Sequence, residues 1–116
     1  MITIKDVNVL YWLLSCKYHP ILVKIVCWLD AKVHKITFTS GFRPGNPKCH
    51  GTDPCRALDI RSWDHAEPGA IRDMINKFWQ YDPERPGQYK VCKYHKTEDG
   101  ELHFHIQVHD NTVKRE

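Results

Sequence analysis

Histidines alternate with apolar residues near the C-terminal end of the chain. The segment runs Glu101-Leu102-His103-Phe104-His105-Ile106-Gln107-Val108-His109. Successive side chains of a strand point to opposite faces. Leu102, Phe104, Ile106 and Val108 then form an apolar face, and Glu101, His103, His105, Gln107 and His109 form the other. The apolar face suits a core. Three imidazoles on the opposite face exceed what stability asks of one strand, although a polar face with scattered histidines is the plain alternative.

A second segment, Arg56-Ala57-Leu58-Asp59-Ile60-Arg61, also reads as a strand. With Leu58 and Ile60 facing inward, Asp59 sits mid-strand on the other side, where aspartate is disfavoured. A carboxylate there needs a partner: a basic side chain such as Arg61 or Arg43, or a metal ion. Ala57 leaves room beside it. His50 lies just upstream in a Gly/Pro-rich loop and can fold back over the strand it precedes. Taken together, His50, Asp59 and His105 offer two imidazoles and a carboxylate. Zinc hydrolases commonly use three such ligands and keep a fourth position for water. The ion lowers the pKa of that water from about 16 to about 7, so hydroxide becomes available at neutral pH.

These residues must be positioned by a small fold. The chain has 116 residues, the size of one domain spanning 1–116. Thr3 can cap a helix from about Ile4 to Cys16, with Val7, Leu10, Leu14 and Tyr11 inward. Lys5 before the apolar run from Val7 to Cys16 invites comparison with a targeting segment. Asp6 and Asn8 interrupt the run, and it reads as a core helix. Pro20 fits the first turn of a second helix, in which Leu22, Ile25, Val26 and Leu29 follow helical spacing. Lys35 to Ser40 alternates as a strand. A loop covers Gly41 to Cys55, and loops of this length in small domains are often functional. After the Asp59 strand, Asp64 or Glu67 starts a helix with Pro68 in its first turn and a stripe of Ile71, Met74, Ile75, Phe78 and Trp79. Gln88 to His95 and Glu101 to His109 form a hairpin across Thr97-Glu98-Asp99-Gly100. The expected class is α+β, with helices on one face of a small, mostly antiparallel sheet and the zinc site on the other.

Five cysteines without a CxxC pair argue against a zinc knuckle and fit a reduced compartment. Cys49 and Cys55 flank His50 and are ligands, a disulfide pair, or ordinary loop side chains, the last being the simplest. Cys16, Cys27 and Cys92 read as core. The tryptophans read as packing, with Trp63 placed to line a cleft. The formal charge of +3 suits an anionic partner without choosing one. Basic residues are scattered without a stripe of aromatics, so no nucleic-acid face is expected. No run is long enough for a membrane span.

The order Ser40-Gly41-Phe42-Arg43-Pro44, His50, Arg56-Ala57-Leu58-Asp59-Ile60 and His103-Phe104-His105 resembles the zinc D-alanyl-D-alanine carboxypeptidases. That superfamily includes the vancomycin-resistance dipeptidases and carboxypeptidases, phage L-alanyl-D-glutamate endolysins and the zinc domain of hedgehog signalling proteins. The resemblance runs from about Pro20 to Val108. It implies a zinc ion on His50, Asp59 and His105, and an Arg43 that holds substrate, with Ser40 of the same motif, and steadies the developing oxyanion. The chain departs from the family pattern at Lys48, where serine is usual, at Cys55, where glycine is usual, and in a longer interval between His50 and Asp59. That insertion makes Asp53 a rival ligand.

The general base has several candidates. Some branches carry a glutamate where this chain has Leu102. Others carry a histidine at the position of His103, which lies within reach of a water held near His105. His103 is favoured, with Glu101 and Asp99 as rivals. The resemblance therefore implies a zinc peptidase acting on peptidoglycan stem peptides, and the chain is expected to be a monomer. Without a clear signal segment, its location is left open between a phage lysis or virion enzyme made in the cytoplasm and acting on the wall, and a bacterial housekeeping enzyme exported by other means. A zinc-stabilised binding module without turnover is the alternative.

Overall fold

The computed structural model describes residues 1–96 and 101–115. Its main sheet has five strands: β1 (Ile2–Ile4), β2 (Ile36–Ser40), β3 (Ala57–Arg61), β5 (Cys92–Lys96) and β6 (Leu102–Gln107). Their order is β1-β2-β3-β6-β5. β1 lies parallel to β2, and every other neighbouring pair is antiparallel. A small antiparallel ribbon pairs β4 (Trp79–Gln80) with β7 (Val113–Lys114). Three helices complete the fold: α1 (Val7–Leu14), α2 (Pro20–Asp30) and α3 (Pro68–Phe78). The expected α+β class is what the chain adopts. No helix among the described residues is long and apolar enough to cross a membrane.

The core lies between the sheet and the helices. Leu22, Ile25 and Leu29 of α2 and Ile75 of α3 join Leu58, Ile60, Phe104 and Ile106 in one cluster. Burying each such side chain contributes roughly 1.5–3 kcal/mol. The inward residues alternate along β3 and β6, so Ala57, Asp59, His103, His105 and Gln107 fall on the opposite face. α2 begins as its sequence dictates: Pro20 occupies the first turn, and His19 Nδ1 accepts from the Ile21 N–H at 3.2 Å. The edge strand β5 is tied to α3 by Asn76. Its amide accepts from the Cys92 N–H and donates to the Cys92 carbonyl, both at 2.9 Å.

The N-terminal expectation is corrected. Ile2–Ile4 is a strand, and Asp6, not Thr3, caps the helix by accepting from the Val9 N–H at 3.0 Å. Pairing with Ile36–Phe38 satisfies the backbone of Ile2–Ile4, so the helix starts later. Its inward residues are Val9 and Leu13, whereas Val7 and Leu14 are 79% and 77% exposed. The helix is apolar almost all round, and its neighbours chose the buried side. Further along, Trp79 leaves α3 to begin β4, and β5 starts only at Cys92. Leu102, at the first position of β6, lies beyond the core and is exposed. Cys27 is exposed and Cys16 only half-buried, so of the three cysteines expected in the core Cys92 alone is buried. The expected hairpin turn at 97–100 lies outside the described residues.

Candidate metal centre

The site is built where β2, β3 and β6 meet the loop from Gly41 to Arg56. Antiparallel register sets Asp59 opposite His105 and Arg61 opposite His103. The β2–β3 register shifts between Phe38 and Ser40, and this irregularity places Ser40 opposite Asp59. Such bulges re-aim side chains beside functional sites.

The loop is held by its own backbone. The Arg43 N–H donates to the His50 carbonyl at 2.8 Å, and the Arg56 N–H donates to the Cys49 carbonyl at 3.2 Å. Between them a 3-10 turn, Cys49–Gly51, carries His50 back over β3 and buries it. Gly41 lets the strand end pass close to the Tyr18 hydroxyl, which a Cβ there would force to shift away from the Phe42 N–H that it accepts from.

Three donor atoms converge. His105 Nδ1 lies 3.0 Å from Asp59 Oδ1, His50 Nε2 lies 3.2 Å from the same oxygen, and the two nitrogens are 3.3 Å apart. Supporting bonds assign the tautomers. The Gly41 carbonyl can only accept, so His50 Nδ1, at 2.8 Å, carries the hydrogen. The Gln107 amide donates its Nε2 hydrogen to the Lys90 carbonyl at 2.9 Å, which turns Oε1 toward His105 Nε2 at 3.2 Å. His105 Nε2 is therefore the donor. In their neutral forms both rings aim lone pairs at a carboxylate oxygen and at each other. Such a triangle needs a cation at its centre, either a proton or a metal ion. The group His50, Asp59 and His105 could hold a metal ion.

The charge state agrees with this. Burial pushes the Asp59 carboxyl pKa up, but hydrogen bonds that the His105 and His50 rings donate once protonated, together with the charge of His50 and His103 in that form, outweigh it and hold it well below the usual carboxylate range. Arg43 Nη2 donates to the other carboxylate oxygen at 2.8 Å, while its Nε donates to Ser40 Oγ at 2.9 Å. Arg43 is thus the basic partner of Asp59 and remains half-exposed toward solvent.

His103 Nε2 stands 3.6 Å from Asp59 Oδ1, outside the three-donor group. Burial lowers its pKa, with His105 and Arg43 adding to the effect and Asp59 and the Glu101 backbone opposing it. Its buried Nδ1 has no hydrogen-bond partner among the described residues. The His95 ring on β5 lies tilted beside it, with ring centroids 4.6 Å apart.

A cleft of about 200 Å³ opens onto the site, and Ser40, Arg43, Asp59, Glu101 and His103 are among its walls. The expected ligands His50, Asp59 and His105 form the donor group, and Ser40, Arg43, Glu101 and His103 line the cleft beside it. Asp53 is exposed and lies outside the donor group. Asp99 lies outside the described residues. Cys55 is buried with its sulfur toward the Ala57 and His50 carbonyls, and neither it nor Cys49 belongs to the donor group. Gln107 and Gly41, which orient the two imidazoles, carried no assigned role in the sequence. The position of Gln107 on the same strand face as His105 was the available signal.

No family model, curated protein or solved structure matches the chain. The chemistry of the site is therefore read from its own donors, charges and cleft.

Proposed function

We propose that this chain is a zinc-dependent peptidase that hydrolyses peptide bonds in peptidoglycan stem peptides. The observation that carries the reading is the triangle of His50 Nε2, Asp59 Oδ1 and His105 Nδ1, with sides of 3.0, 3.2 and 3.3 Å. A tetrahedral zinc ion with bonds of about 2.0–2.1 Å has ligand-to-ligand edges of about 3.3 Å. Two neutral imidazoles and one carboxylate are a fitting donor set, and a carbonyl oxygen or amide orienting each imidazole is the usual outer support of a metal ligand.

A bound ion would supply Lewis acidity and an acidified water. The chain's own residues do the rest. Arg43 is fixed by Ser40 and Asp59 at the cleft wall, where its charge can hold a substrate oxygen and favour the developing negative charge. His103, buried beside Asp59, is the base that takes and returns a proton. Glu101 lines the same cleft and is the second candidate.

The test is metal content by native mass spectrometry, followed by incubation with stem peptides under zinc and under chelator. One zinc per chain with chelator-sensitive cleavage is the expected result. A folded protein that takes up no added zinc would end this reading. Zinc without cleavage would instead leave a metal-stabilised binding module.

A further inference from the structure

A second concavity lies away from the metal centre, between α3 and the edge strand β5. Its volume is about 560 Å³, within the range of about 300–1,000 Å³ that ligand sites occupy. Arg72 and Lys77 of α3 stand on one side of it, and Lys90 and Lys93 on the other. Asn76 joins the two sides, because its amide holds both the N–H and the carbonyl of Cys92 at 2.9 Å. The backbones that carry the cations are thus bonded to each other across the floor. Asp73 is the one carboxylate among the described walls, and it accepts from Arg72 Nε at 2.9 Å. Lys77, Lys90 and Lys93 have no carboxylate partner among the described residues. Four cations against one carboxylate leave +3, which equals the formal charge of the whole chain. The rest of the chain is neutral on balance, and its basic excess is gathered in this groove.

We propose that this groove binds an anion carrying several phosphates in series, a polyphosphate or a phosphodiester chain without bases. Arg72 and Lys77 lie about 7.5 Å apart along the axis of α3, so a single phosphate cannot meet both, whereas linked phosphates can. The lysines take phosphate oxygens as point charges. The Nη groups of Arg72, which Asp73 leaves unengaged, present a fork to another phosphate. No aromatic ring lines the groove among the described residues, so a nucleic acid would find nothing on which to stack its bases. The inference stands apart from the peptidase reading. None of these residues belongs to the donor group or to the cleft that opens onto it.

Isothermal titration with orthophosphate, tripolyphosphate, poly(glycerol phosphate) and oligo-dT tests it. Every titration is run with chelator, and again in His105→Ala, so that a phosphate settling on the metal centre is excluded. Tripolyphosphate should bind at least about tenfold tighter than orthophosphate, because it reaches more than one cation. Binding of poly(glycerol phosphate) as well assigns the site to a phosphodiester polymer, and binding of tripolyphosphate alone assigns it to a small soluble anion. Either result supports the proposal. Lys77→Gln combined with Lys90→Gln should weaken binding by about tenfold, as the loss of two exposed charge pairs does. Lys93→Gln, expected to weaken it by a smaller factor, serves if that pair does not fold. Lys24→Gln combined with Lys32→Gln removes two exposed cations of α2 that lie outside the groove and should leave affinity unchanged. Several outcomes would overturn the proposal: no binding, orthophosphate binding as tightly as tripolyphosphate, or equal losses in the two double variants. Binding that vanishes under chelator or in His105→Ala would move the anion to the metal centre. Tighter binding of oligo-dT than of the base-free polymer would replace the proposed ligand with a nucleic acid.

Discussion

Asp59 and His105 are direct partners across the antiparallel pairing of β3 and β6, and their side chains meet at 3.0 Å. Directly opposed residues hold their Cβ atoms about 4.5–5.5 Å apart. Two of the three donor atoms are therefore set by sheet register, which is far stiffer than a loop. Replacing His105 with alanine should abolish stoichiometric zinc binding while leaving the sheet folded. Native mass spectrometry beside a circular dichroism spectrum checks both halves of that statement.

Gln107 touches His105 and lies outside the donor group that could hold a metal ion. Gln107→Leu removes the acceptor at His105 Nε2 and leaves the Lys90 carbonyl without its donor. Zinc affinity should fall by about 10–100-fold, the usual cost of losing a metal ligand's hydrogen-bond partner. Competition with a chromophoric chelator measures this, and unchanged affinity would show that register alone orients the ring.

Arg43 should separate binding from turnover. Arg43→Ala is expected to retain zinc and to lower kcat/KM on a stem peptide by about 10²–10³-fold, as removal of an oxyanion-stabilising donor does. A variant that loses the metal outright would instead assign Arg43 to holding Asp59.

The cysteines should differ sharply in reactivity. Burial pushes the Cys92 thiol up to about 12 and raises that of Cys55 as well. A thiol with a raised pKa is almost wholly protonated at pH 8, and the thiolate is the nucleophile. Cys27, which is exposed, should react readily with a thiol reagent in the native protein. Cys55 and Cys92 should react only after denaturation. Mass mapping of alkylated peptides with and without guanidinium gives the order.

The two sides of the core make opposite stability predictions. Phe104 is 1% exposed, and Phe104→Ala should cost about 3–5 kcal/mol. Leu14→Ser, on the outward side of α1, should change stability by no more than about 0.5 kcal/mol. Chemical denaturation of both variants tests the placement of α1 as well as the core.

Much of the site could be read from residue order because its parts obey local rules. The alternation from Leu102 to His109 assigns two faces at a glance, and a lone Asp59 among Leu58 and Ile60 asks for a partner. The helix at Pro20 was equally plain, since proline and four apolar residues at helical spacing agree. The start of the chain was not, because two long-range facts decide it. Ile2–Ile4 becomes a strand through pairing with residues more than thirty positions away. In Val7–Leu14 the pair Val9 and Leu13 competes with Val7, Leu10 and Leu14, and both patterns have helical period. Only the packing partner distinguishes them. The role of Gln107 was hidden for a related reason: it depends on the Lys90 carbonyl, which belongs to an irregular segment with no periodic signal.

The loop that brings His50 to β3 bears on kinetics as well as geometry. Backbone hydrogen bonds close it at Arg43–His50 and at Cys49–Arg56, and Cys55 is bonded at both its N–H and its carbonyl to the segment before α2. On the proposed metal-binding reading, an arriving ion would meet a seat already assembled and have little chain entropy to remove. Small zinc modules that fold only around their metal behave in the opposite way. Here, stripping the ion should leave a folded protein that recaptures metal in a single fast step, with no refolding phase between the empty and filled forms.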